Sequence, residues 1–74
     1  MSEWISVEER LPKDEVNTYR SENNGEYPEF IVMIKDAKVP TVLVFEGEFW
    51  VDDNGTVYTV THWMPLPEPP EATP

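Results

Sequence analysis

Prolines at positions 65, 67, 69 and 70 close an apolar, strand-like run in T-H-W-M-P-L-P-E-P-P, residues 61–70. Proline has no amide hydrogen and holds φ near −65°, so this stretch can continue neither a helix nor a central strand. Residues that precede a proline are driven to extended or polyproline conformations, which puts Met64, Leu66, Glu68 and Pro69 on an extended left-handed path. The strand must therefore stop here. The expected arrangement has Trp63, Met64 and Leu66 fastening this path across a small β-sheet, with Pro65 as an anchor where pairing ends.

Seventy-four residues make one domain. Surface scaling gives roughly 4,700 Å² exposed when folded against about 12,500 Å² extended, enough burial for one thin core. We expect a single small β-rich domain over residues 1–70, a flexible tail at 71–74, and homodimerisation as a way to supplement that core. Cysteine is absent, so disulfides and thiolate chemistry are excluded and a cytoplasmic setting is allowed. No apolar run approaches membrane-spanning length, and M-S-E-W does not begin a signal segment. The expected location is the cytoplasm, with no membrane association.

The formal charge is −10, divided evenly between residues 1–29 and 30–74. A spread negative field repels phosphates, which argues against direct nucleic-acid binding, and it steers basic protein partners toward the domain.

Along the chain, W-I-S-V at 4–7 suits an edge strand, with Trp4 and Ile5 as anchors. The charged E-E-R-L-P-K-D-E follows; Ser6 and Glu9 have capping-box spacing, but Pro12 favours a turn or one helical turn over a real helix. Leu11 reads as a core peg. Residues 13–29 look least ordered, being polar and broken by Asn24-Gly25 and Tyr27-Pro28. A wholly structureless loop of that length is unusual in so small a domain, so Tyr19 and Tyr27 are expected either to fold back as lids or to carry a partner surface. F-I-V-M-I at 30–34 and T-V-L-V-F at 41–45 are strands by length and β-branching. Glu46-Gly47 turns the chain into E-F-W-V at 48–51. Asn54-Gly55 predicts a tight primed hairpin turn, because both residues tolerate positive φ. Residues 56–63 form the last strand, with neither face purely polar. The fold class is mainly β: an antiparallel meander of about four strands with extended segments at both ends.

Chemistry is sparse. His62 has no cysteine and no second histidine to join it, and reads as structural. Asp52-Asp53-Asn54-Gly55 lacks the alternating ligands of a calcium loop and reads as a turn. Glu46 and Glu48 are not by themselves an acid–base pair. No phosphate-cradling loop, nucleophile elbow or basic-aromatic patch is present, so no catalytic, cofactor-binding or metal-ligating residue is assigned. Binding is better supported. Nine aromatic residues are many for this length; Phe45, Trp50 and Trp63 join Trp4 as core anchors, and the candidate partner surface is Tyr19, Glu22, Glu26, Tyr27, Glu29, Glu46 and Glu48.

W-I-S-V-E-E-R-L-P at 4–12 and V-T-H-W-M-P-L-P-E-P-P at 60–70 together resemble a small domain family of unknown function, family 551 of that kind, found in tailed-phage genomes and bacterial prophages. V-L-V-F-E-G at 42–47 and W-V-D-D-N-G from Trp50 look like its middle, so the resemblance spans nearly the whole chain; residues 14–29 are its least characteristic part. It implies a phage-associated accessory protein and supplies no catalytic residue.

The resulting expectation is a noncatalytic phage or prophage protein that binds a host protein. Two alternatives stand beside it: an acidic nucleic-acid mimic that blocks a DNA-binding protein, and a small-ligand binder or minor hydrolase with a pocket near His62. Homodimerisation has its own test. Sedimentation at several concentrations should show a mass that rises toward twice 8.6 kDa, whereas a concentration-independent monomer refutes it.

Overall fold

The computed structural model describes residues 4–67. The chain runs β1 (Ile5–Ser6), α1 (Lys13–Glu22), β2 (Glu29–Ile34), β3 (Thr41–Phe45), β4 (Trp50–Val51), β5 (Val57–Tyr58) and β6 (Val60–Pro65). All six strands belong to one antiparallel sheet in the order β1-β6-β2-β3-β4-β5. The mainly β expectation holds, and β2 to β5 are the anticipated meander. The expected tail at 71–74 and the end of the proline-rich stretch, from Glu68 onward, lie outside the described residues.

The run read as one last strand is divided at Thr59. Its first part, β5, pairs with β4, and its second, β6, pairs with β2. In a flat sheet β5 and β6 would be four strand spacings apart, about 19 Å, yet Tyr58 and Val60 have one residue between them and so sit within about 7 Å. The sheet must therefore curl until its flanks meet, and Lys35 donates its amide to the Thr59 carbonyl at 2.8 Å where they do. Register explains the mixed alternation of this run. Ile34 faces Val60 but Met33 faces His62, so Thr61 is an extra residue. Such a bulge brings Val60 and Trp63, three apart, to the same buried side.

Inside the curl lie Val16, Phe30, Val32, Leu43, Phe45, Trp50, Val60 and Trp63, with Ile5, Val7, Leu11, Ile34 and Tyr58 packed against them. Phe30 meets Trp50 and Trp63 edge to face at centroid distances of 5.9 and 5.4 Å. Trp4 is half-buried and outside this cluster. Pro65, expected as an anchor, pairs with Phe30 but is exposed.

Two local expectations are corrected. Residues 13–22 form a ten-residue helix rather than a loop or a single turn. Pro12 does not stop this helix; it starts it, because the missing N–H falls where a helix has no internal acceptor to offer. Its carbonyl accepts the Val16 amide at 2.9 Å. Asp14 and Glu15 occupy the first turn, next to the positive end of the helix. At the other end Gly25, at φ 81°, donates to the Arg20 carbonyl at 2.8 Å, and the Asn23 side chain donates to the Tyr19 carbonyl at 2.7 Å. Before the helix, Ser6 Oγ accepts from the Glu8 amide at 3.2 Å, an ST-type turn in place of the capping box. The second correction concerns Asn54-Gly55. Gly55 alone has positive φ there, and it donates to the Asp52 carbonyl at 3.0 Å. The loop is a three-residue connection with a left-handed glycine, not a primed two-residue turn. Asp52 imposes it, since Oδ1 accepts the amides of Asn54 (2.9 Å) and Thr56 (3.0 Å).

Among the described residues no helix is long and apolar enough to cross a membrane.

Trp63 is fully buried, and its Nε1 donates to the Arg10 carbonyl at 3.0 Å. Trp63→Ala should cost about 3–5 kcal/mol, close to the roughly 4–11 kcal/mol total of a domain this size. Trp63→Phe keeps most of the bulk but leaves the Arg10 carbonyl unpaired, and should cost about 1–3 kcal/mol. Urea midpoints followed by circular dichroism check both; an unchanged midpoint for the phenylalanine variant would contradict the role of that bond.

Candidate functional site

Where β2 begins and β6 ends, the curled sheet and the helix leave a cleft of about 790 Å³. The helix contributes Glu15 and Tyr19, and the segment leading into β2 contributes Glu26, Tyr27 and Pro28. Glu29, Phe30 and Val44 come from the sheet, Asp53 from the β4–β5 hairpin, and Pro65, Leu66 and Pro67 from the end of the last strand. A shallower hollow beside it, about 470 Å³, is bounded by Asp14, Glu15, Thr18, Tyr19 and Glu22.

Each wall is held by identifiable contacts. Arg10 makes a two-pronged ion pair with Glu15 (Nη1–Oε1 3.1 Å, Nη2–Oε2 2.9 Å) while its guanidinium lies 4.9 Å from the Trp63 ring centre. That bond to Arg10 holds the Glu15 carboxyl below its usual pKa and raises that of the guanidinium. Arg20 sits 4.2 Å over the Tyr27 ring and donates from Nε to the Gly25 carbonyl at 2.8 Å, fixing the loop after the helix. Asp52 carries the hairpin that presents Asp53. Its Oδ2 accepts the Tyr58 hydroxyl at 2.8 Å; this bond first, then the Thr56 amide, lowers the Asp52 pKa, and the same bond to Asp52 raises that of Tyr58.

Of the residues singled out from the sequence, Tyr19, Glu26, Tyr27 and Glu29 come together in the cleft, and Glu22 lines the neighbouring hollow. Glu46 and Glu48 lie in the β3–β4 turn, where Gly47 at φ 101° turns the chain, and they line neither hollow. Pro28, Asp53, Leu66 and Pro67 were not assigned to a site from the sequence. Pro28 and Pro67 stand beside the tyrosine and leucine that line the cleft with them, the one signal that could have pointed there. His62 is exposed, 3.1 Å from Thr61 Oγ1, and neither it nor Tyr58 borders either hollow.

Chemically the main cleft is rich in acceptors and poor in donors. Its polar side chains are four carboxylates and two tyrosines, and no lysine, arginine or histidine borders it. Among the described residues no three acidic or histidine side chains converge closely enough to hold a metal ion. The carboxylates are instead distributed around an apolar floor that includes Phe30, Val44 and Leu66.

The fold and this site define a small, single-sheet β-domain with one packed helix and an acidic, aromatic cleft. A profile of the family described as "Protein of unknown function (DUF551)" matches residues 3–71, and the chain belongs to that family. No match was found among curated proteins or solved structures.

Two lowered carboxyls contribute to the response to acid. A carboxyl whose folded pKa lies below its unfolded value adds stability above the unfolded value and loses it as pH falls through the folded one. Asp52 and Glu15 both have this sign, so melting temperature should fall with acidification from pH 5 downward. Asp52→Asn should lower it at pH 7 and flatten its dependence between pH 5 and pH 2. Thermal melts across that range check this; parallel profiles for the two proteins would show that Asp52 does not contribute.

Proposed function

We propose that the protein is a phage or prophage accessory protein that works in the host cytoplasm by noncatalytic binding to a host protein, with the cleft beside the helix as its contact surface. One observation carries the reading. The cleft gathers exposed aromatic rings, apolar floor and unshared negative charge at one end of the sheet, with no basic side chain at its border. Aromatic anchors surrounded by polar rims are the usual makeup of a protein contact. The phage setting rests on the resemblance of the two terminal motifs, and the host protein follows from it.

Charge reversal separates the cleft from the general acidity. Bacterial lysate passed over immobilised protein should yield a partner that is retained by the wild type and by Glu46→Lys/Glu48→Lys but lost by Glu26→Lys/Glu29→Lys. Both variants change net charge equally. Equal retention by all three proteins, or equal loss by both variants, would refute the cleft as the contact surface.

A further inference from the structure

Resting on that reading of the cleft, we infer that the partner segment it takes is an extended peptide bearing arginine. The cleft holds charge that the chain itself leaves unpaired. The five basic residues of the chain are Arg10, Lys13, Arg20, Lys35 and Lys38, and none borders the cleft. Arg10 is engaged with Glu15, the one ion pair among the described residues, so Glu26, Glu29 and Asp53 face the cleft without a cation. A cationic group entering the cleft would meet carboxylates that no basic side chain of the protein neutralises.

The cleft is also short of hydrogen-bond donors. Pro28, Pro65 and Pro67 have no amide hydrogen, so these three lining residues supply no backbone N–H donor. Four carboxylates share the lining, so a group rich in donors matches the cleft. A guanidinium has five N–H donors in a planar fork, and an ammonium has three on a compact, strongly hydrated centre.

The tyrosines of the cleft favour arginine over lysine. Arg20 on Tyr27 already shows a guanidinium stacked on a tyrosine while donating to a carbonyl of the same loop. Tyr19, 39% exposed, lines the same cleft and has no such cation among the described residues. A planar cation stacks on such a ring better than an ammonium does. The carboxylates do not converge as a metal site would, which fits cations distributed along a chain, and about 790 Å³ of space is in the range that accepts a few side chains.

The test uses a fluorescein-labelled peptide of about eight residues, long enough to span ~26 Å when extended, with two arginines separated by two leucines. Its partners in the comparison carry lysine or the neutral isostere citrulline at the same positions. Binding to the wild type by anisotropy should weaken about ten-fold from arginine to citrulline and several-fold from arginine to lysine. Glu26→Gln/Glu29→Gln should weaken arginine-peptide binding about ten-fold, while Glu46→Gln/Glu48→Gln, with the same net charge, should stay within about two-fold. Amide spectra of both variants verify that the fold is kept.

Equal binding of the arginine and citrulline peptides, equal weakening by the two variants, or no binding of the arginine peptide would each overturn the inference. Lysine binding as tight as arginine would overturn the choice of guanidinium. If lysate capture still depends on Glu26 and Glu29 while the arginine peptide fails, the partner chemistry is wrong and the cleft reading survives. If capture is indifferent to those residues, both fall.

Discussion

The structure depends on the way Trp63 is held. Its ring fills the centre of the curled sheet against Phe30, its Nε1 donates to the Arg10 carbonyl, and the Arg10 guanidinium lies over that ring while gripping Glu15. The 7–12 segment and the start of α1 that follows it are thereby joined to β6, some fifty residues away, at one residue. Little else could attach the helix. Val16 is its only buried residue, so helix and sheet share a narrow apolar contact, reinforced by Leu11 and the fully buried Pro12 just ahead of it. A thin domain with one helix over one sheet has few contacts to lose.

Strands with a continuous apolar pattern were legible from residues alone. F-I-V-M-I and T-V-L-V-F are β2 and β3 to within a residue, and Phe45, Trp50 and Trp63 are all buried. The helix was not legible, because one buried valine in ten residues leaves no apolar period to detect. Pro12 compounded this, since proline before a charged run marks a helix start as readily as a stop. The curl was hidden as well. Nothing in Y-T-V-T-H-W announces that its strand changes partner at Thr59, because that depends on how far the whole sheet has twisted. The Asn54-Gly55 turn failed for a local reason: the Asp52 carboxylate two residues earlier selects a different loop by accepting its amides.

The candidate site shows the same division. Glu26, Tyr27 and Glu29 are close in sequence and were singled out together, whereas Val44 and Leu66 reach the cleft because β3 and β6 pair with the start of β2, and Asp53 because β4 pairs with β3. Nearly every wall also has a structural task. Glu15 anchors Arg10, Tyr27 lies under Arg20, and Pro65 and Pro67 end the last strand. The side chains of Glu26, Glu29 and Asp53 have no such employment among the described contacts, which leaves them free to meet a partner.

The strands that terminate the sheet, β1 and β5, are two residues each. Many small β-domains recruit proteins by letting a foreign strand join an exposed edge, which requires a row of free backbone donors and acceptors. Two-residue borders give such a guest almost nothing to zip onto. The same shortness guards the domain against stacking edge to edge into fibrils when its own concentration is high, an advantage for a protein whose core is this slight.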